Sequence, residues 1–242
     1  MPPKKPAHSG LLQRVDFEAY KNTYRQEIQK SIDFIGQDFE FFVRKKADLL
    51  VENVQRHLGD PSKLKILDVG CGIGATDHFL VDCFKKLYGI DLSPGVIRKA
   101  ATLNPKASYK AYKGGKLPYP SGSMDVAFAI CVMHHVPPGE QKSFLSEMLR
   151  VLRRGGLLLI FEHNPLNPLT RLAVSRCDLD QDAYLLGLGQ VSGLLKGLGA
   201  EVLLEKYIFF TPFEGALFSA LDSSLGWLPL GAQYMVGARK DA

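Results

Sequence analysis

Ile66-Leu67-Asp68-Val69-Gly70-Cys71-Gly72-Ile73-Gly74 is the stretch from which the fold of this 242-residue chain is read. An apolar run suited to a strand enters a turn of alternating glycines, which let a ligand approach the backbone, and a helix follows. In open α/β sheets this turn lies at the carboxyl edge where nucleotides bind, beside the reversal of strand order. Two acids sharpen the reading. Asp68 sits at the strand end, and Asp91 closes the next predicted strand, 17 residues after Gly74. That is close to the roughly 20 expected for a carboxylate that accepts ribose hydroxyls. The spacing is G-x-G-x-G, with Ala75 and Thr76 where a dinucleotide-binding turn has its last glycine. A carboxylate at Asp68 would repel a pyrophosphate and suit a cationic ligand. No GK[ST] follows the glycines, which excludes a phosphate-cradling P-loop.

Downstream, short apolar runs alternate with amphipathic segments. Strands are predicted over 65–69, 87–90, 108–112, 124–130 and 156–161, with helices through about 84, from 94 to about 103, and over 139–152. Ser93-Pro94 supplies an N-cap and a first-turn proline for the second of these helices. Such alternation implies parallel crossovers and a doubly wound sheet. A helix over 190–198 and strands over 201–209 and 232–239 complete the pattern. Upstream, 15–57 reads as helical, with an interruption at Gly36 and a stop at Gly59-Asp60-Pro61.

Four motifs in order give residues 64–162 a close resemblance to a class I S-adenosylmethionine-dependent methyltransferase. ILDVGCGIG resembles the family's first motif and GIDLS its ribose-binding second. LPYPSGSMDVAFAICVMHHVP resembles its fourth-strand region, and LRVLRRGGLLLI its late helix–turn–strand. More loosely, YKNTYRQEIQKSIDFIGQDFEFF, EHNPLNPLTR and LPLGAQYMVGARK resemble a bacterial small-molecule branch without one assigned substrate. The resemblance implies an α/β fold with a seven-stranded sheet in the order 3-2-1-4-5-7-6, the last strand antiparallel. It also implies S-adenosyl-L-methionine as cofactor, leaving S-adenosyl-L-homocysteine as product. Asp68 and the backbone of Gly70, Cys71, Gly72 and Gly74 would then hold the methionine part. Asp91 would take the ribose hydroxyls, and Leu92 would pack on adenine. Where the family has an acid for the adenine amino group, this chain has Lys113, so Tyr112 and backbone groups are expected to serve instead.

The residues weighed for chemistry lie at the carboxyl ends of strands four and five, beside the transferable methyl. Cys131 is placed at the cofactor. Of the adjacent His134 and His135, at most one is expected to reach the pocket, and His135 is preferred. Glu162 and His163 open a polar stretch with Asn164 and Asn167 and are read as groups that bind and deprotonate an acceptor. The alternative for the asparagines is that they cap turns at Pro165 and Pro168. Tyr24, with Tyr20, is expected on a helical lid over the cofactor. Phe209, Phe210, Phe213, Phe218 and Trp227 are expected either to line an acceptor pocket or to serve as plain core.

The domain reading is a flexible tail over 1–14, the lid over 15–61, and the methyltransferase domain over 62–242. Substrate-side insertions are placed at 164–189 and 211–231. Thirty basic against 25 acidic residues give +5, but the excess is spread through 62–164, which carries 14 basic and 8 acidic groups. A spread excess reads as a solvated face rather than a nucleic-acid patch. The four cysteines show no ligand spacing, so no metal is expected. The Pro/Lys-rich start and the lack of a long apolar run favour a cytoplasmic protein without a membrane span. The function expected is methyl transfer to an oxygen or nitrogen of a small molecule. The rivals are an RNA or protein methyltransferase, a non-catalytic cofactor-binding regulator and, last, a nicotinamide-dependent reductase.

Overall fold

The structure, a computed structural model, describes residues 15–241. The tail expected over 1–14 lies outside the described residues. Seven strands form one sheet: β1 (Lys65–Val69), β2 (Lys86–Asp91), β3 (Ser108–Ala111), β4 (Met124–Ile130), β5 (Leu152–His163), β6 (Glu201–Ile208) and β7 (Gln233–Arg239). Their order is β3-β2-β1-β4-β5-β7-β6, with β7 antiparallel to both of its neighbours and the other pairings parallel. The expected topology is therefore observed.

The central strands are buried on both faces, as a parallel sheet covered by helices requires. Side chains alternate across the pleat. On β4 and β5, Ala127, Ala129, Leu158 and Ile160 face one core, with Leu145, Met148, Val191 and Leu195. The last four lie on α5 (Gln141–Val151) and α7 (Leu188–Lys196). Val126, Phe128, Leu157, Leu159 and Phe161 face the other core, with Ala47, Leu50 and Val54 of α2 (Phe39–Leu58). That helix begins where Asp38 accepts from Phe41 N at 2.8 Å. It is separated from α1 (Tyr24–Ile32) by a short 3-10 turn ending at Gly36, where a break was expected.

Several boundaries differ from the sequence reading. The helix after the glycine loop, α3, covers only Asp77–Leu80, and the chain turns through 81–85 before β2. Residues 15–23 form turns rather than helix. They are held by contacts with distant loops, which helical periodicity does not record. β5 begins at Leu152, earlier than expected, because Met124 pairs with Leu152 across an irregularity before the main ladder starts. α4 (Pro94–Leu103) carries the expected Ser93 cap, which accepts from Val96 N at 3.3 Å. α6 (Pro168–Arg176) follows Asn167, whose side chain accepts from Thr170 N, so this asparagine takes the capping role. The segment between β6 and β7 contains α8 (Ala216–Ser224). Among the described residues no helix is long and apolar enough to cross a membrane.

Phe161 is fully buried where β5 meets α2. Replacing it with alanine is expected to cost about 3–5 kcal/mol. Urea denaturation should show a lower midpoint with an unchanged slope.

Candidate active site

The glycine loop leaves β1 at Gly70, whose φ of +83° suits glycine. A Cβ there would stand 2.5 Å from Val132 Cγ2 in the turn after β4. Gly70 N and Cys71 N both donate to Ile90 O, at 2.8 and 3.0 Å, which ties the loop to β2. Asp91 completes the tie. Its Oδ2 accepts from Gly72 N at 2.9 Å and its Oδ1 from Ser93 N at 3.0 Å. Each carboxylate oxygen retains a lone pair for a further donor. Burial raises the Asp91 pKa.

Two cavities open at the carboxyl ends of the strands. The first, of about 380 Å³, is lined by Gly70, Gly72, Asp91, Leu92 and Tyr112, with Gly114, Gly115 and Lys116 beyond. Leu92 is 49% exposed there, an apolar side chain that a flat ring would cover. Lys113 is exposed and does not line this cavity. The second cavity, of about 280 Å³, starts at Asp68, Cys71, Ile73 and Thr76 and runs beneath α1, α2 and α6 to Phe209 and Gln233. Phe17, Tyr24, Gly70, Ile130, Cys131 and His135 line both cavities, so the two meet there. Phe209 and Phe210 belong to the wall of the second. Phe213 and Trp227 are 53% and 75% exposed and lie outside it, and Phe218 packs against Phe213.

Asp68 lies beside Asp77, and both are buried. Burial, together with Asp77, holds the Asp68 carboxyl well above its usual range, and burial pushes Asp77 up to about 7. The pair therefore shares a proton rather than carrying two charges. Tyr109 Oη donates to Asp77 at 2.8 Å, and Asn104 Nδ2 donates to both Tyr109 Oη and Gly74 O. This network fixes the loop from below.

The candidates from β4 and β5 fall into three situations. Glu162 is 1% exposed and its carboxylate is fully engaged. Oε1 accepts from Val132 N and Met133 N at 2.9 and 2.7 Å, and Oε2 contacts His134 Nδ1 at 2.6 Å. Glu162 lines neither cavity, so it is a positioning residue rather than the acceptor-side base read from the sequence. His134 lies out of reach below, with Asp180 Oδ1 3.3 Å from its Nε2. Carboxylates on both ring nitrogens require two N–H donors, which is the imidazolium. Burial alone would lower the His134 pKa, but Glu162 and Asp180 raise it well above 6.5. His135 lines both cavities, stacks edge-on to Phe17 at 5.1 Å, and stands 3.5 Å from both Asp180 and Asp182. The ligand atoms of His134, His135 and Asp180 lie within 4.8 Å of one another, with the two imidazoles paired to the Asp180 carboxylate.

His163 and Cys131 form the third group. Burial opposes ionisation of both, but each stabilises the charged form of the other, so the thiol pKa falls and the imidazole pKa rises. Gln233 Nε2 lies 3.6 Å from Cys131 Sγ and 3.4 Å from His163 Nδ1. Cys131 has φ +55°, a conformation uncommon outside glycine and costing about 1–3 kcal/mol.

Residues 15–24 close the cavities from above. Tyr24 Oη lies 3.1 Å from where a Cβ on Gly72 would stand. Glu18 accepts from Ser93 Oγ and, at 2.6 Å, from Gly95 N at the start of α4. Val15 N donates to Asp182 at 3.1 Å. The sequence offered no periodic signal for Glu18, Asp77, Asp180 or Gln233. The partners described above lie from 9 positions away, for Asp77 and Asp68, to 102, for Gln233 and Cys131, and pairing at such separations leaves no periodic pattern.

Two expectations follow. The hydrogen bonds from Ser93 and Gly95 pull the Glu18 carboxyl down to about 2 from 4.5. Its anchoring is therefore complete above about pH 4.5 and is lost as the pH falls through 2. Glu18→Gln should speed hydrogen exchange over 15–23 at neutral pH and leave the sheet unaffected. Glu162 is held below its usual 4.5, mainly by His134 acting against burial, so its contribution to stability is present above pH 4.5 and lost at lower pH. The contribution of His134 is complete below pH 6.5 and is lost as the pH rises through its raised value. His134→Phe, which strands two buried carboxylates, should cost about 3–5 kcal/mol. Urea denaturation across pH should show the largest deficit between about 4.5 and 6.5.

Known proteins give an independent comparison. A family described as "Methyltransferase domain" matches residues 67–160. The 2-methyl-6-phytyl-1,4-hydroquinone methyltransferase of Synechocystis is 31% identical over 177 residues, covering 68% of this chain and 54% of that protein. A probable S-adenosylmethionine-dependent methyltransferase of Mycolicibacterium smegmatis is 27% identical over 178 residues, covering 69% of this chain and 62% of that one. The matched part thus spans about half to three-fifths of the length of these relatives. Among solved structures, a chain of the Haloferax volcanii complex between the Trm112 methyltransferase activator and a methyltransferase superposes with a TM-score of 0.67. It covers 95% of this chain and 99% of that chain at 14% identity, a likeness of fold. With the strand order and the glycine loop, these matches establish that the chain belongs to the class I S-adenosylmethionine-dependent methyltransferase family, with S-adenosyl-L-methionine as its cofactor.

Proposed function

We propose that this chain transfers a methyl group from S-adenosyl-L-methionine to an oxygen or nitrogen of a small, largely apolar molecule held in the second cavity. The observation that carries this reading is the meeting of two cavities at Cys131, His135 and Tyr24. The donor group, when bound, supplies a sulfonium methyl, and transfer is an in-line displacement. The protein's task is to align two reactants and exclude water.

The residues present fit the cofactor. Asp91 has lone pairs for two ribose hydroxyls while it holds Gly72 N and Ser93 N. Leu92 and Tyr112 offer an apolar and an aromatic wall for adenine. The exposed Lys113 supplies no acceptor at that wall, so recognition of the amino group falls to backbone atoms near Tyr112 and Gly114. Gly72, in the first cavity, and Cys71 and Asp68, in the second, flank the place for the methionine part, whereas Gly74, expected there too, lines neither cavity and faces Asn104 and Tyr109.

On the acceptor side Ile28, Ile32, Ile35, Phe39 and Phe42 make an apolar wall. The hydroquinone in the name of the Synechocystis relative carries a phytyl group, and an acceptor with an apolar body suits such a wall. His163 lies at the polar end and can donate to the acceptor atom or take its proton. His135 closes the junction and orients Phe17 above it. Among the described residues the lysines and arginines lining the two cavities are Lys46 and Lys116, which make no stripe of cations, and this favours a small acceptor over RNA.

Asp91→Ala should weaken binding of S-adenosyl-L-homocysteine at least about tenfold, or roughly 1.4 kcal/mol, in calorimetry. Asp91→Asn, which keeps the shape, should lie between this variant and the native protein. The decisive experiment gives the protein methyl-labelled cofactor and an extract of small molecules, RNA and protein. Label in the small-molecule fraction supports the proposal, and label confined to RNA or protein refutes it.

A further inference from the structure

Lys46 lies on α2 one turn after Phe42, is 7% exposed, and lines the second cavity with Phe42, Val43 and Phe209. The Phe42 and Phe209 rings meet edge-on at 5.3 Å beside it. Among the described residues Lys46 has no hydrogen-bond or ion-pair partner. Its neighbour Lys45 differs. Lys45 donates to Phe213 O at 3.1 Å and pairs with Asp222 at 3.7 Å.

Two acids, Asp68 and Asp180, line the same cavity, and among the described residues neither forms an ion pair with Lys46. Asp68 faces Asp77, and Asp180 is bound to His134 and His135. The charge of Lys46 does reach Cys131, where it helps to hold the thiol pKa down. A cation therefore stands in a largely apolar chamber that also reaches Cys131 at the junction of the cavities, and the described residues place no anion within ion-pair distance of it. A buried charge is costly unless a partner arrives.

We propose that the acceptor is an amphipathic carboxylic acid whose carboxylate is received by Lys46, so that the product is a methyl ester. This rests on the methyl-transfer reading above. In the step, a carboxylate oxygen attacks the methyl carbon and an O–CH₃ bond forms. The S–CH₃ bond breaks and its electron pair returns to sulfur. A neutral ester and a neutral thioether result, and no proton has to be placed. An amine acceptor would instead arrive as a second cation beside Lys46. A phenol would arrive neutral, with an ordinary pKa of about 10, and would have to pass its proton to His163, which its pairing with Cys131 already favours in the protonated form.

The cofactor carries a carboxylate of its own, so the test separates the two sources. Calorimetry on the full chain, with and without saturating S-adenosyl-L-homocysteine, would compare 4-hexylbenzoate, 4-hexylbenzamide and 4-hexylphenol. The native protein should bind the benzoate about tenfold or more tightly than the benzamide or the phenol. Lys46→Met should abolish that preference while leaving benzamide and S-adenosyl-L-homocysteine affinity unchanged, and Lys46→Arg should restore part of it. Equal or absent binding of the three probes to the native protein overturns the proposal. So does a preference that survives Lys46→Met, or a loss confined to S-adenosyl-L-homocysteine, which would assign Lys46 to the cofactor. Failure of the native protein to bind S-adenosyl-L-homocysteine at all would refute the methyltransferase reading. The acid preference without the nucleoside would still be measured separately.

Discussion

The carboxylate of Glu162 is the constraint from which the site is built. At the end of β5 it accepts from the backbone of Val132 and Met133 and grips His134, so one buried side chain dictates the path of the chain leaving β4. That path forces Cys131 into its left-handed conformation and sets Val132 against Gly70, so that only glycine fits at the head of the cofactor loop. It also turns His134 inward and leaves His135 at the junction of the cavities. The strain at Cys131 is tolerated because the hydrogen bonds on either side overdetermine the turn.

Electrostatics separates the buried groups into two kinds. Glu162, His134 and Asp180 form a closed set in which donors and acceptors match, which makes that set architecture rather than chemistry. Asp68 and Asp77 form a second buried pair through a shared proton, with Tyr109 bonded to Asp77 and Asn104 to Tyr109, while Asp68 Oδ1 and Asp77 Oδ1 keep no hydrogen-bond partner among the described residues. Lys46, without a hydrogen-bond or ion-pair partner among the described residues, and Gln233 and Asp68, whose Oε1 and Oδ1 are buried and unpartnered, line the second cavity and remain open. In a folded protein, polar groups left open in this way point to what a ligand brings.

Much of this was legible in the sequence. The doubly wound sheet followed from the alternation of apolar runs with amphipathic segments and its strand order from the family resemblance, while Gly70, Gly72 and Asp91, singled out in the sequence, line the first cavity. All of these sit within two short stretches where geometry is local. The acceptor side was less legible. Glu162 and His163 are adjacent in sequence yet point into different environments, a strand's alternation that the sequence shows without saying which face is the pocket. Lys46 belongs to no motif in the sequence. Its significance depends on Phe209 folding back over Phe42, a contact spanning 167 positions. The Asn-Pro turns were recognised as capping signals because an Asx cap is complete within four residues.

The two cavities also differ in where their walls come from. Apart from Phe17 and Tyr24, every residue lining the first cavity falls within 67–160, the stretch that matches the methyltransferase family. The other cavity draws most of its wall from the helices before that stretch and from the segments after β5. Inheritance can therefore act on the halves separately. Drift in α1, α2, α6 or the β6–β7 connection reshapes what is accepted, while the donor's seat stays under its own selection. A lineage built on this plan can diversify its substrates without relearning its chemistry, and a designer who recombined those flanks between relatives would be following the same seam.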